Sequence, residues 1–353
     1  MDKSNLNIEG IEHREWHNLY GYYMQQATSE GLSLRSPDPS APMRPFVLTR
    51  SFWAGSQRWG AMWTGDNKAE WSHLQIAGPM ILSLNLAGLA FSGADAGGFF
   101  GDPSAELFTR WFQAAAFTPF FRGHAHHDTK RREPWVRTLH THAPYKHTHI
   151  HNTYTHTYTY STSFCSFFPS PMITIDVFSY CFDMCTQASA FFLHFLPQMV
   201  LFFSPPFFCY LLSSYFIFCY ILIMKSFGEP YTTIARAATM LRYSLLPLWY
   251  TTFYEAYVTG EPVMRTMFSE FPDDERTFSM DDQWLVGGAL LVKPATTEGQ
   301  TSVDIYMPFS SNTDGWYDLH TLQRLPTYES GILTVQVPLE AIPVYIRSGI
   351  TIL

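Results

Sequence analysis

At 353 residues the chain can hold two or three domains, each with a substantial core. Charged residues make up only 15% while aromatics reach 17%, and the net charge is −8. That balance leaves no basic footprint for nucleic acid and suits a neutral ring such as a sugar better than a polyanion. Met1 to Leu6 contains no apolar run, so no signal peptide is expected. The sequence closes on Ile350-Thr351-Ile352-Leu353 in mid-strand pattern, and both ends read as cut.

In chain order, residues 1–137 read as alternating strands and helices. Pro45 to Arg50 is a short apolar run ending in a charge, Gly60 to Thr64 a second, and Leu86 to Phe91 a third. Asp102-Pro103 is expected to open a helix, with an acid at the N-cap and proline at the first helical position. Leu107, Trp111 and Ala115 continue it as a buried stripe. Phe117 to Arg122 is a further apolar run ending in a charge. Strands alternating with helices predict a parallel sheet in an α/β fold.

Residues 138–225 differ in kind. They open on His–Thr alternation at His140-Thr141-His142, Thr148-His149 and Thr155-His156-Thr157, then run through Phe, Cys, Ser, Tyr and Leu without helical or strand register. Lys146, Asp176 and Asp183 are the charges before Lys225, and Cys165, Cys181, Cys185, Cys209 and Cys219 all fall here. No CxxC spacing supports a metal or redox role. A CA dinucleotide repeat encodes His–Thr, and the remaining residue types have T-rich codons, which points to translated non-coding sequence. Two other readings stay open: a His-rich metal site, and a membrane span at Phe207–Met224.

From residue 226 ordinary protein resumes. Thr232 to about Leu246 predicts a helix with Ile234, Ala238, Leu241 and Leu245 on one face, kinked or ended by Pro247. A second helix follows to Gly260, a C′ glycine. Beyond it lie short strands at Leu290–Val292, Val303–Met307, Leu333–Val337 and Val344–Ile346, separated by turns such as Asn312-Thr313-Asp314-Gly315. This predicts an all-β module over 261–353.

Polar groups of the first region gather at predicted strand ends. Arg50 closes the first, Asp66 follows the second, Asp95 the third, and Arg122 with His124 the last. The carboxyl rim of a parallel barrel is where active sites sit. Two carboxylates with Arg and His on one rim suit glycoside hydrolysis. Each residue also has a plainer reading: Asp66 as a helix N-cap, Asp95 as a turn residue, the arginines and His124 as structural.

The segments Arg50-Ser51-Phe52-Trp53-Ala54-Gly55-Ser56-Gln57-Arg58, Trp63-Thr64-Gly65-Asp66-Asn67, Gly93-Ala94-Asp95-Ala96-Gly97-Gly98-Phe99 and Phe121-Arg122-Gly123-His124 together resemble glycoside hydrolase family 31, in particular its glucosidase II branch. Arg131-Arg132-Glu133-Pro134-Trp135, Arg242 to Pro247 and Pro262-Val263-Met264-Arg265 extend the likeness. It covers 1–137 and 226–353 in order and omits 138–225.

The resemblance implies the C-terminal half of a (β/α)8 TIM barrel, over 1–137 and 226–260, followed by an incomplete β-sandwich domain at 261–353. It implies a retaining α-glucosidase that needs no cofactor and no metal. Asp66 would be the general acid/base, with burial against Trp63 raising its pKa. Arg50, Trp63, Asp95, Phe99, Arg122 and His124 would bind the non-reducing-end glucose. Members of the glucosidase II branch trim N-glycan oligosaccharides in the endoplasmic reticulum lumen with a non-catalytic β subunit. The family nucleophile lies in a Trp-x-Asp-Met-Asn-Glu stretch upstream of the acid/base, and no such stretch occurs in these residues. A retaining mechanism needs both carboxyl groups, about 5 Å apart. The expectation is half a site on half a barrel, with open strand edges that favour aggregation.

Overall fold

The computed structural model describes residues 1–38, 40, 43–130, 132, 227–308, 315–326 and 331–349. The interruption expected at 138–225, with its His–Thr repeat and the Phe207–Met224 run, lies outside them, as does the strand expected at the C-terminus. Among the described residues no helix is long and apolar enough to cross a membrane.

The first part begins with the short helix α1 (His13–Trp16) and α2 (Tyr20–Leu34). Strands β1 (Leu48–Thr49), β2 (Ala61–Trp63) and β3 (Ser92–Gly93) then form a parallel sheet in that order. Helix α3 (Trp71–Leu86) crosses between β2 and β3. Beyond Ala94 the chain continues as β4 (Asp95–Ala96), which pairs in parallel with β5 (Arg122–Gly123) after helix α4 (Ala105–Ala115). Phe120 N donates to Ser92 O at 3.0 Å, carrying the parallel order from one short sheet to the next. Gly93 permits that approach, since a Cβ there would lie 2.0 Å from the Phe120 carbonyl oxygen.

The strand expected at Leu86–Phe91 falls later, because its first residues finish α3. Leu74, Ile81 and Leu82 bury that helix's inner face, and pairing begins only at Ser92. Buried Asn85 fixes the junction: its Nδ2 donates to Ser92 Oγ at 3.2 Å, and its Oδ1 accepts from Met264 N at 3.0 Å. The run at Phe117–Arg122 likewise pairs at its far end, since Phe117 is consumed as core behind α4.

Helix α4 starts later than the Asp-Pro signal implied. Ser104 is its N-cap, the hydroxyl accepting from Leu107 N at 3.2 Å, while the Asp102 carboxylate accepts from Lys130 N at 2.8 Å. Ser104→Ala is expected to cost about 1 kcal/mol, read as a shift in the urea midpoint with the slope unchanged. The stripe Leu107, Trp111 and Ala115 is buried, as its spacing required.

Helices α5 (Tyr231–Ser244) and α6 (Leu246–Thr259) break where Pro247 demanded, and Gly260 ends the second at φ +81°. Arg242 ties α5 to the approach of β5. Its guanidinium donates to Ala116 O at 2.8 Å, Thr118 O at 2.7 Å and Pro119 O at 2.9 Å, and its Cζ lies 4.4 Å from the Trp249 ring centroid.

The C-terminal part adds β6 (Met264–Arg265), the short helix α7 (Met267–Glu270), β7 (Trp284–Val286), β8 (Leu290–Val292), β9 (Ser302–Tyr306), β10 (Trp316–Asp318), β11 (Ile332–Gln336) and β12 (Val344–Arg347). An antiparallel sheet of order β10-β12-β8-β7-β6 faces the antiparallel pair β11-β9. Successive side chains of its inner strands serve two cores, as the period of two requires. Leu285, Leu291 and Tyr345 join Val303 and Ile305, whereas Val286, Leu290, Val292 and Val344 pack with Ile81, Phe117 and Trp249 of the first part. Near-continuous apolar runs at Trp284–Val286 and Leu290–Val292 are the mark of a sheet covered on both faces. Buried Arg110 of α4 adds polar bonds across this junction, donating to Val337 O at 2.6 Å and Ala341 O at 3.0 Å.

Candidate functional site

The carboxyl ends of β1 to β3, with β4 and β5 that continue the parallel order, bring the polar residues of the first part to one rim. Arg50 leaves β1 directly, and Asp66 follows β2 by way of Gly65 at φ +90°. A Cβ at Gly65 would sit 3.3 Å from Arg50 Nε, so the arginine lies over this glycine and reaches the next residue. Arg50 Nη1 stands 3.6 Å from Asp66 Oδ2, with the two side chains 62% and 27% exposed. Helix α3 begins only at Trp71 with Glu70 at its cap position, so Asp66 is not a helix N-cap. It projects from a loop into partly open space beside a cation.

Asp95 is a strand residue rather than a turn residue, and its side chain is fully buried. Arg122 Nη2 and Nε both donate to its Oδ1, at 2.5 and 3.1 Å. Its Oδ2 is buried without a hydrogen-bond partner. Burial pushes the carboxyl of Asp95 up from its ordinary value. The hydrogen bond and charge of Arg122 and the proximity of His124 pull it down, and Asp66 pushes it up. The net direction is upward because desolvation is the largest influence. One oxygen is therefore held by the protein, and the second is left for another donor.

Aromatic rings wall this group. The Arg122 guanidinium carbon lies 5.2 Å from the Trp63 ring centroid and 5.7 Å from that of Phe120. The rings of Phe99 and His124 lie 5.2 Å apart at 30°, and His126 meets Phe99 edge-on at 5.4 Å. The structure thus joins Asp95, Arg122 and Trp63 in one cluster, Phe99 and His124 in an adjacent one, and Asp66 with Arg50 beside them. All the residues singled out from sequence lie on this rim.

Asn67 and Arg132, to which the sequence assigns no separate role, both shape the rim. Asn67 donates to Asp95 O at 3.0 Å and accepts from Phe99 N at 2.8 Å through its side chain. Arg132 donates to Gly97 O at 3.4 Å and Gly98 O at 2.5 Å, with its Cζ 5.7 Å from the Phe108 ring centroid. The available signal was the pair Gly97-Gly98, at φ +89° and +81°, whose reversed carbonyls need donors from elsewhere in the chain. Among the described residues, His126, His127 and Asp128 could ligate a metal ion, their ligand atoms lying within 4.8 Å of one another.

Parallel strands with acidic, guanidinium and aromatic groups on their carboxyl rim, followed by a β-sandwich, define the barrel class of glycoside hydrolases. A profile described as "Glycosyl hydrolases family 31 TIM-barrel domain" matches residues 1–143, and one described as "Glycosyl hydrolase family 31 C-terminal domain" matches 260–352. The chain belongs to glycoside hydrolase family 31. It is 40% identical over 349 residues to neutral alpha-glucosidase AB of Dictyostelium discoideum, covering 99% of this chain and 27% of that protein. To neutral alpha-glucosidase C of Homo sapiens it is 39% identical over 351 residues, covering 99% and 28%. The crystal structure of a glucosidase II alpha subunit superposes with TM-score 0.69 at 37% identity, over 99% of this chain and 28% of that one. The chain therefore spans little more than a quarter of the length of these relatives.

Proposed function

We propose that this chain supplies the proton-donor and sugar-binding half of a retaining α-glucosidase site that releases glucose from the non-reducing end of α-glucosides. The observation that carries the reading is the pairing of each rim carboxylate with its own arginine. Asp66 stands 3.6 Å from Arg50 in a partly open loop, and Asp95 is gripped by Arg122 while its second oxygen stays unpaired. In this reading Asp66 is the general acid/base. It protonates the glycosidic oxygen as the bond breaks and later takes a proton from the attacking water.

Asp95 and Arg122 bind vicinal hydroxyls of the glucose, because a carboxylate and a guanidinium fork match that spacing with charge-assisted bonds. Arg50 and His124 complete the set of donors, and Trp63 and Phe99 cover the apolar faces of the ring. Bonds that tighten as the ring flattens towards an oxocarbenium ion lower the barrier. No cofactor enters this scheme, and the covalent step requires a second carboxylate that residues 1–353 do not offer in the family's Trp-x-Asp-Met-Asn-Glu pattern.

Assay of the purified chain on an aryl α-glucoside, beside a glucose-binding measurement, tests this. Binding without turnover is expected of residues 1–353 alone, and turnover of any longer product that also carries the nucleophile. Failure to bind glucose would overturn the assignment of the rim. A second reading, a non-catalytic carbohydrate binder, is favoured for this polypeptide by the missing motif. It is overturned if the chain itself turns over substrate and Asp66→Asn stops it.

The finer reading follows the glucosidase II relatives, one of which was solved as an "ER glucosidase II heterodimeric complex consisting of catalytic subunit and the binding domain of regulatory subunit". It assigns an N-glycan substrate, the endoplasmic reticulum lumen and a β subunit partner. The proposed domains are the barrel half at 1–137 and 226–260 and the β-sandwich at 261–353. Residues 138–225 interrupt them as translated non-coding sequence, and sequencing the transcript across codons 137–226 decides that point.

A further inference from the structure

We infer that Asn67 is a positioning residue that fixes the turn from Asp95 to Phe99 against the loop carrying Asp66, and so sets the affinity of the rim for a glucose ring. The inference rests on the sugar-binding reading above. Its ground is the double use of one carboxamide. Nδ2 donates to Asp95 O at 3.0 Å while Oδ1 accepts from Phe99 N at 2.8 Å, so one side chain closes both ends of the turn. The main-chain oxygen of Asn67 also accepts from Phe99 N at 2.8 Å and Phe100 N at 2.9 Å.

The turn needs such an outside brace. It contains Gly97 and Gly98 at positive φ, residues with the greatest backbone freedom and no side chain to lock them. With the brace in place, Asp95 Oδ1 meets Arg122 and the Phe99 ring meets His124. Asp66 is the residue before Asn67, so the peptide that carries the proton donor is bonded directly to the sugar-binding turn. At neutral pH a carboxamide presents a donor and an acceptor at this spacing. An ionised aspartate cannot donate, and alanine offers neither group.

Titration of D-glucose into the whole chain and its variants, by calorimetry with a thermal melt of each, separates the alternatives. D-glucose carries no charge, so its own ionisation is constant. Asn67→Ala is expected to weaken binding about tenfold or more, through loss of the bond to Asp95 O and of the side-chain bond from Phe99 N, which keeps its main-chain partner. Asn67→Asp is expected to bind as weakly at pH 7 and to recover affinity as the pH falls below about 5, where the introduced acid takes a proton and its O–H can donate to Asp95 O. The other ionisable groups around the position are Asp66 and Lys68 on its own loop, His73 against Lys68 N, Arg50 beside Asp66, Asp95 and Arg122 on the neighbouring strands, Arg132 on the Gly97 and Gly98 carbonyls, and His124 and His126 about Phe99. They are shared with Asn67→Ala, which is expected to show no such recovery. If Asn67→Ala does not fold, the pH series of Asn67→Asp against the unaltered chain decides. Unchanged affinity in either variant at pH 7, or a melting point that falls while affinity holds, would overturn the inference alone. Absence of glucose binding by the unaltered chain would overturn the rim assignment together with it.

Discussion

Asp66→Asn is expected to lower turnover by about 10²- to 10⁴-fold in any form of the protein that hydrolyses α-glucosides, with glucose affinity nearly unchanged. The substitution keeps size and shape and removes the ionisable carboxyl with its charge. Stability should hardly respond. The pair with Arg50 spans 3.6 Å between side chains 62% and 27% exposed, where solvent screening leaves an ion pair worth about 0–1 kcal/mol. A general acid has a further signature, because its contribution grows with the basicity of the leaving group. Aryl α-glucosides with poor leaving groups should lose most, and those with very acidic phenols least. Equal loss across the series would assign Asp66 to binding, and no loss would remove it from the mechanism. The proposed role is compatible with its place in the fold, since Asp66 caps no helix and lies on the loop that follows β2.

Arg122→Met is expected to be the most destabilising change at the rim, by about 3–5 kcal/mol at neutral pH, because it strands a buried carboxylate. Asp95 is fully buried, and both of the hydrogen bonds to its Oδ1 come from this arginine. The pH dependence follows from the direction of its shift. A carboxyl whose folded pKa is raised takes up a proton more readily folded than unfolded. The stability it contributes is full below the ordinary value of 3.8 and is lost as pH rises through the raised value. Losing Arg122 removes two influences that hold the pKa down, so the loss should deepen and move to higher pH. Urea titrations at a series of pH values should show the deficit of Arg122→Met shrinking on acidification. The double variant Asp95→Asn with Arg122→Met should cost less than Arg122→Met alone, since no charge is left unpaired. A deficit independent of pH would mean that the arginine acts by packing against Trp63 and Phe120 rather than by its charge.

Much of this architecture was legible because it depends on local rules. Pro247 and Gly260 set the limits of α5 and α6 through steric and φ requirements that neighbours do not alter. The strands β8, β9, β11 and β12 announced themselves by short apolar or β-branched runs between turns. Less legible were features decided by competition. Leu86 to Phe91 is an apolar run of strand length, yet its start was taken by a helix already buried through Leu74, Ile81 and Leu82. Asp102 has the right character for an N-cap, but Lys130 N claimed its carboxylate and Ser104 took the cap. Strands β6, β7 and β10 went unread, because two or three paired residues give too short a pattern to stand above composition.

At the rim the division is sharper. By itself the sequence determined which polar residues would gather, since Arg50, Asp66, Asp95, Arg122 and His124 each close or follow an apolar run, and strand ends collect on one edge of a parallel sheet. Only the tertiary structure decided how they act on one another. It buried Asp95 completely and set Arg122 against one of its oxygens, left Asp66 partly exposed beside Arg50, and braced the glycine turn between Asn67 and Arg132. Burial, desolvation and hydrogen bonds between residues tens of positions apart depend on distances in space, and a one-dimensional pattern carries no measure of those.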